Sequence, residues 1–469
     1  MSIGNEKLRG VNMISVSISE IVKATDGVLI SGNSDGVVKS AVTDSRKVEE
    51  GSIFIAICGE NVDGHAYVDK AFSKGSVCAI VEKDVATDNK NTVIKVENSV
   101  RAMGTFARLI TDKLSVPTVA ITGSVGKTTT RDMTYAVMSK KFNTLKNENN
   151  FNNEIGVPLT VFNANDDTEA MVIEMGMDNL GEIDRLSKMA VPDICMITNI
   201  GMSHIERLGS QENIYRAKSE MFKNIKPDGV IILNGDDKIL MAHKNELSNK
   251  VITVGKENKD ADLVASEIVS RKDSVSFKVS GMGCDFLVKL PIPGEHNVTN
   301  ALLAIGAGLC HNIPCEKIAE ALSDFSMTKM RMDIIKCNGI TIINDCYNAA
   351  PDSVKAALSV LSKYAERKVA VLGDIAALGE YSYTAHKDLG ESVVKNNIDL
   401  LFTIGENARF IAQGAFENGM DSENIISADT IDEIKPELLR NLRENDVVLV
   451  KASRVMGLER VTEILKNNF

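Results

Sequence analysis

Residues 122 to 129 read Thr122-Gly123-Ser124-Val125-Gly126-Lys127-Thr128-Thr129 and follow directly on the apolar run Val116 to Ile121. An apolar strand that runs into glycines, a lysine and hydroxyl residues at the start of a helix is the arrangement that cradles phosphates. The glycines let backbone N–H groups approach phosphate oxygens, and Lys127 brings a positive charge. Thr128 offers a hydroxyl to Mg²⁺, and the helix N-terminus favours an anion. The segment therefore commits its surroundings to strand, turn and helix of an α/β layer, and predicts use of a nucleoside triphosphate. The spacing departs from G-x-x-x-x-G-K-[ST] at the first position, where Ile121 replaces glycine. The competing reading is a plain glycine turn between a strand and a helix.

At 469 residues the chain exceeds what one core organises, and ordinary domain sizes predict about three. A formal net charge of −11 argues against a general nucleic-acid surface, which needs clustered Lys and Arg. Anionic ligands must then be held by local features such as the phosphate loop. The eight cysteines, at 58, 78, 195, 284, 310, 315, 337 and 346, show neither a C-x-x-C pair nor zinc-type spacing. They read as reduced thiols of a cytoplasmic protein, several of them core filler. No apolar stretch has the length of a membrane-spanning helix, and the start of the chain lacks a signal-peptide layout, so a cytoplasmic location without membrane insertion is expected. Residues 1 to 12 read as a frayed tail.

Three segments follow from the patterning: 1–112, 113–328 and 329–469. The first alternates short apolar runs (Ser52 to Ile57, Val77 to Val81, Thr92 to Val96) with polar turns and reads as a small α/β domain. In the second, strands are predicted at Ala170 to Glu174, Asp193 to Thr198 and Gly229 to Leu233, with helices over Gly181 to Met189 and Glu212 to Asn224. That alternation predicts a mostly parallel sheet with helices on both faces. Period-two alternation in Ser274 to Val279 and Asp285 to Leu290, around Gly281 and Gly283, predicts an added antiparallel hairpin. The third segment carries strands at Ile340 to Ile343, Lys368 to Leu372, Leu400 to Ile404 and Val447 to Val450, between helices beginning near Pro351, Thr384, Asn407 and Ile431. It reads as a doubly wound, Rossmann-like fold whose ligand sits at the carboxyl ends of its strands. Those ends hold Asp345-Cys346-Tyr347-Asn348, Gly373-Asp374, Gly405-Glu406 and Lys451-Ala452-Ser453-Arg454. No G-x-G-x-x-G turn follows its first strand, so a dinucleotide site is not expected there.

Glu174 closes the strand Met171-Val172-Ile173, and His204 follows the strand ending at Thr198. Oxygen and imidazole ligands from those strand ends face the same rim as Thr128, which suits Mg²⁺ bound partly through substrate phosphates. By pattern alone Lys218, in Tyr215-Arg216-Ala217-Lys218-Ser219-Glu220-Met221-Phe222, is a surface lysine on an amphipathic helix. The tract Asn147-Glu148-Asn149-Asn150-Phe151-Asn152-Asn153-Glu154 reads equally as a polar loop or as a substrate loop.

Taken in order, these segments resemble the Mur ligases, the ATP-dependent amide-forming enzymes of peptidoglycan precursor synthesis. The resemblance runs from about Met13. It rests on Thr43-Asp44-Ser45-Arg46 with Asp63-Gly64-His65, the phosphate loop, Asn150-Phe151-Asn152-Asn153-Glu154-Ile155-Gly156, Ile173-Glu174-Met175-Gly176, Ser203-His204 and Arg216-Ala217-Lys218. It continues through Pro293-Gly294-Glu295-His296-Asn297, Arg331, Asn344-Asp345-Cys346-Tyr347-Asn348-Ala349, Leu372-Gly373-Asp374 and Lys451-Ala452-Ser453-Arg454. The Asp-Cys-Tyr-Asn-Ala and Leu-Gly-Asp segments point to the branch that adds D-alanyl-D-alanine. The chain departs from the family's usual residues at Ala350, Ile375 and Ala452.

The resemblance implies that the first domain binds the UDP moiety of UDP-N-acetylmuramoyl-tripeptide around Ser45 and Arg46, the central domain binds ATP, and the third brings D-alanyl-D-alanine. Gly123, Ser124, Val125, Gly126, Lys127, Thr128 and Thr129 are implied to hold phosphates, with Asn297 on the adenine and Arg331 and Asp345 reaching the nucleotide from the third domain. Thr128 and Glu174 are implied ligands of one Mg²⁺, and His204 with a carbamylated Lys218 of a second. Lys127, His204 and Lys218 are the expected catalytic residues, and Asn152, Asn153, Tyr347 and Asn348 the expected substrate contacts. The implied reaction phosphorylates the tripeptide's terminal carboxylate, after which the dipeptide amine displaces phosphate. A monomer is expected. A folylpolyglutamate-type ligase and a nucleotide-regulated binding protein are the rival readings, and no spacing distinguishes lysine from meso-diaminopimelate as the tripeptide's third residue.

Overall fold

In the computed structural model, which describes residues 13–337 and 339–469, strands alternate with helices along nearly the whole chain. The tail expected over residues 1 to 12 lies outside the described residues. The chain divides into two compact units. One comprises residues 13–122, Lys141–Met196 and Ala217–Ile231, and the other Gly123–Lys140, Ile197–Arg216 and Ile232–Phe469.

The first unit opens with a five-stranded sheet in the order Val28–Ser31, Thr92–Lys95, Cys78–Val81, Ser52–Ile55, Ser40–Val42. Only the Val28–Ser31 edge is antiparallel to its neighbour; the other pairs are parallel. Ser52–Ile55 and Cys78–Val81 are buried along their whole length, as strands covered on both faces must be. The same unit carries Thr118–Thr122, which leads into the phosphate loop. Ala170–Glu174 pairs with it in parallel and also with Thr144–Lys146. Both strands are apolar through their centres, Val119 to Ile121 and Ala170 to Ile173, and both are wholly buried.

A run of strands that enters the second unit at Ile232 is ordered Val230–Asn234, Lys250–Gly255, Leu263–Ser270, Val275–Gly281, Cys284–Leu290. The expected hairpin is there, with Gly281 and Gly283 at positive φ in its turn. A further strand, Leu263–Ser270, joins it antiparallel. Period-two patterning missed that strand because its register shifts between Ser266 and Val269, with Glu267 at a φ of 51°. Such a bulge moves every later side chain to the opposite face.

The carboxyl-terminal sheet has six strands in the order Asp333–Cys337, Ile340–Asn344, Val447–Lys451, Lys368–Gly373, Leu400–Ile404, Ile425–Ala428. All pairs are parallel except the first, so the doubly wound reading stands with an antiparallel edge added. Its core stacks Val369, Val371, Phe402, Val448 and Val450 against Ile434, Leu438, Val461 and Leu465. Sequence reading passed over Asp333–Cys337 and Ile425–Ala428, the two edges. Both are half-buried and so lack the unbroken apolar run that marks an inner strand. Among the described residues no helix is long and apolar enough to cross a membrane.

Candidate functional site

Thr118–Thr122 empties into a turn whose shape depends on two glycines, Gly123 at φ 154° and Gly126 at φ 82°. The helix Lys127–Met138 starts directly after Gly126. Its first N–H groups have no partner within the helix, the ordinary condition of a helix start and the basis of anion binding there. A Cβ placed on Gly126 would lie 2.6 Å from Asn300 Oδ1, so glycine is required by space as well as by backbone angle. Lys127 turns back over the loop, its Nζ donating to the carbonyl oxygens of Gly123 at 2.8 Å and Ser124 at 3.2 Å. Thr128 and Thr129 are buried in the first turn.

A second segment clamps this loop. The Asn199 side-chain oxygen accepts from the N–H groups of Ser124 (3.1 Å) and Val125 (3.0 Å), and the Thr198 hydroxyl donates to the Val125 carbonyl at 2.5 Å. Gly201 N–H donates to Ser124 Oγ at 2.8 Å, and Ser203 Oγ donates to the Ser124 carbonyl at 3.2 Å. His204 follows at once, in left-handed backbone at φ 66° and at the start of the short helix Ile205–Leu208. The strap that delivers His204 is thus bonded to the phosphate loop at Gly201 and Ser203.

The third element is the helix His296–Cys310. Asn297, expected on the adenine, is buried; its Nδ2 donates to the Pro293 carbonyl at 2.7 Å, and its Oδ1 accepts from Asn300 Nδ2 at 3.0 Å. Asn300 Oδ1 accepts in turn from Thr130 Oγ1 at 3.2 Å. An amide relay therefore joins the expected base contact to the phosphate-loop helix. Asn199 and Asn300 were both missed from sequence, although Asn300 lies three residues from Asn297 and shares its helix face. Burial drives the neighbouring His296 imidazole down to about 4, against the pull of Asp345, so it is neutral at pH 7.

The third-segment residues sit at the carboxyl ends of their strands, as expected. Asp345 does not stand open: its Oδ2 meets Lys451 Nζ at 2.5 Å and its Oδ1 accepts from Met332 N–H at 3.1 Å. Lys451, buried, also donates to the Asn348 carbonyl at 3.0 Å. The Arg331 guanidinium lies 4.5 Å from the centre of the Tyr347 ring, and that of Arg454 lies 5.9 Å from the same ring. Asp352, in the first turn of Pro351–Leu361, puts Oδ2 2.6 Å from where a Gly201 Cβ would be. Burial raises its carboxyl, Lys355 lowers it, and nearby Asp237 raises it further.

The first unit holds the remaining candidates. Glu174 is buried at its strand end, where its Oε1 accepts from Asn152 Nδ2 at 2.8 Å. Asn147 brackets the same residue, accepting from Glu174 N–H at 2.9 Å and donating to its carbonyl at 2.8 Å. Asn153 Oδ1 accepts from Gly156 N–H at 2.9 Å and so starts the helix Gly156–Val161. Asn147 and Asn152 of the asparagine tract thus frame Glu174. Lys218 is 2% exposed, which corrects the surface reading drawn from its helix pattern. An amphipathic period tells which face is apolar, and a lysine buried on that face departs from it. Ser45 is buried, whereas Arg46 is 81% exposed and paired with Asp44 at 2.8 Å. His65 accepts from Glu82 N–H at 2.9 Å and bonds Asp63 at 2.6 Å, so Asp63-Gly64-His65 braces the small sheet.

Comparison with known proteins adds three findings. The Mur ligase middle-domain model matches residues 121–308, the Mur ligase glutamate ligase domain 330–454, and the Mur ligase family catalytic domain 38–110. UDP-N-acetylmuramoyl-tripeptide–D-alanyl-D-alanine ligase of Bacillus subtilis (strain 168) is 38% identical over 97% of this chain and 99% of its own length. The enzyme of that name from Escherichia coli (strain K12) is 29% identical over 97% and 99%. Among solved structures, MurF from Acinetobacter baumannii matches with a TM-score of 0.89 at 29% identity, covering 97% of this chain and 99% of that one. MurF ligase from Thermotoga maritima in complex with ADP matches with a TM-score of 0.82 at 28% identity, covering 92% and 97%. With those family models matching from residue 38 to 454 and a relative 38% identical over nearly the whole chain, the chain belongs to the Mur ligase family.

Proposed function

We propose that this chain uses ATP to join the amine of D-alanyl-D-alanine to the terminal carboxylate of UDP-N-acetylmuramoyl-tripeptide, releasing ADP and phosphate. The observation that carries this is full-length similarity, at 38% identity, to a ligase of that name, over a chain that keeps the whole phosphate loop. A carboxylate is a poor electrophile in water. Transfer of the γ-phosphoryl group gives an acyl phosphate, and the amine then expels phosphate through a tetrahedral intermediate. Catalysis of this kind rests on positioning and on neutralising charge. Lys127 would swing from the carbonyls of Gly123 and Ser124 onto the transferring phosphoryl oxygens. Asn297, held by Pro293 and Asn300, takes the base, and Arg331 with Asp345 serves the nucleotide from the third segment. Ser45 and Arg46 take the UDP moiety, and Asn152, Asn153, Tyr347 and Asn348 belong to the substrate path.

Mg²⁺ would be held by Thr128 and Glu174, and a second ion by His204 and Lys218. The donor set fits: a hydroxyl and a buried carboxylate already oriented by Asn152 are hard oxygen ligands. Among the described residues no three His, Cys, Asp or Glu side chains converge as a metal cluster. That agrees with a cation that keeps waters and takes phosphate oxygens. When bound, Mg²⁺ supplies positive charge to the phosphates. Carbamylation of Lys218 would turn a buried cation into an oxygen ligand, and an experimental density map with nucleotide and Mg²⁺ present should show the extra atoms on Nζ.

The deciding assay follows phosphate release from ATP. It should require both UDP-N-acetylmuramoyl-tripeptide and D-alanyl-D-alanine, and be negligible with either alone. Purified, folded protein that releases no phosphate with both present would overturn the proposal.

A further inference from the structure

A dipeptide substrate carries two charges, and the proposed reaction uses only its amine. The other end is a carboxylate that must be held away from the acyl phosphate, and a carboxylate removed from water without a cation is strongly disfavoured. The loops that follow the five parallel strands of the carboxyl-terminal sheet are where such a fold binds its ligand. Those loops run 345–350, 374–381, 405–408, 429–430 and 452–458, and they contain one Lys or Arg, Arg454. Lys451, just before the last of them, is buried and committed to Asp345 at 2.5 Å. Arg409, which opens a helix, is paired with Asp429 at 2.5 Å.

Arg454 has the geometry of a receiver. Its side chain is 53% exposed, and among the described residues its one ionic partner is Glu459, 3.3 Å from Nη1. Its guanidinium lies 5.9 Å from the centre of the Tyr347 ring, which it shares with Arg331 at 4.5 Å, so two cations gather on one aromatic group. Its backbone N–H meets Asn348 Oδ1 at 3.4 Å, which fixes the loop on the residue next to Tyr347. A guanidinium steadied by a ring and by one carboxylate still presents N–H groups in the planar fork that matches a carboxylate bidentately.

We propose that Arg454 binds the free carboxylate of the incoming dipeptide and so makes the enzyme select a peptide acid over its neutral counterpart. This rests on the function proposed above. The test compares D-alanyl-D-alanine with its C-terminal amide, each with saturating ATP and UDP-N-acetylmuramoyl-tripeptide. In the wild type the acid should be preferred at least tenfold in kcat/KM. In Arg454→Gln the KM for the acid should rise at least tenfold, the KM for ATP and for the UDP substrate should stay within twofold, and the preference for the acid should vanish. Arg454→Lys should recover part of that preference, and circular dichroism with thermal unfolding should report the fold of each variant. A wild type inactive with D-alanyl-D-alanine sinks the proposed function itself. An active wild type indifferent to acid and amide, or a folded Arg454→Gln that keeps the preference, removes Arg454 from this role while leaving that function standing. A fall in kcat with unchanged KM and unchanged preference does the same.

Discussion

Lys127 shows how a residue legible in sequence is held before it acts. Its ammonium rests on two loop carbonyls, the position from which we propose it moves onto phosphate oxygens. Lys127→Ala should reduce kcat/KM at least a hundredfold, about 3 kcal/mol, because the contact strengthens as charge moves in the transition state; a value within threefold of wild type would contradict the phosphate-loop assignment. His296 gives a pH prediction. Its folded pKa, pushed down to about 4 by burial, lies below the ordinary 6.5, so the fold prefers the neutral ring. Above pH 6.5 that preference is fully present. As pH falls from 6.5 the unfolded chain takes up a proton that the folded chain refuses, and stability declines until the folded ring also protonates near 4, by at most about 3 kcal/mol. NMR of the imidazole protons, assigned through His296→Gln, should show no titration of this ring above pH 5. The position of Lys127, at the start of a helix after a glycine turn, was legible because its neighbours mark that turn. Asn199 was not, since an asparagine past a strand end looks like any loop residue until its oxygen is seen on two N–H groups of another segment.

At the scale of elements, the junction of strand, loop and helix depends on Gly126. Gly126→Ala forces a side chain into left-handed backbone and onto Asn300 Oδ1. It should cost about 1 to 3 kcal/mol in chemical unfolding and weaken nucleotide affinity as well. An alanine variant matching wild type in both would mean that the amide relay does not set the loop's position. Inner strands such as Ala170–Glu174 and Leu400–Ile404 were readable to the residue, because burial on both faces demands unbroken apolar runs. Edges and bulges were not, because Asp333–Cys337 and Leu263–Ser270 obey pairing partners that lie far along the chain. The unread edges of the final sheet left the inner strand ends, with Asp345 and Lys451, legible.

For the whole molecule, we propose that the substrates bind different segments and are brought to one reacting carbon by closure in the ternary complex. Small-angle scattering should give a smaller radius of gyration with ATP and UDP-N-acetylmuramoyl-tripeptide together than without them. An unchanged radius at saturation would mean that the site is assembled beforehand. The strap from Thr198 to Ser203 has a further consequence. Because Asn199, Thr198 and Ser203 already hold the phosphate loop, its ordering entropy is spent in folding and not at the arrival of nucleotide. Phosphate affinity is then a property of the folded cooperative unit. Heat should then weaken binding only as that unit unfolds, and nucleotide should in turn raise its melting point.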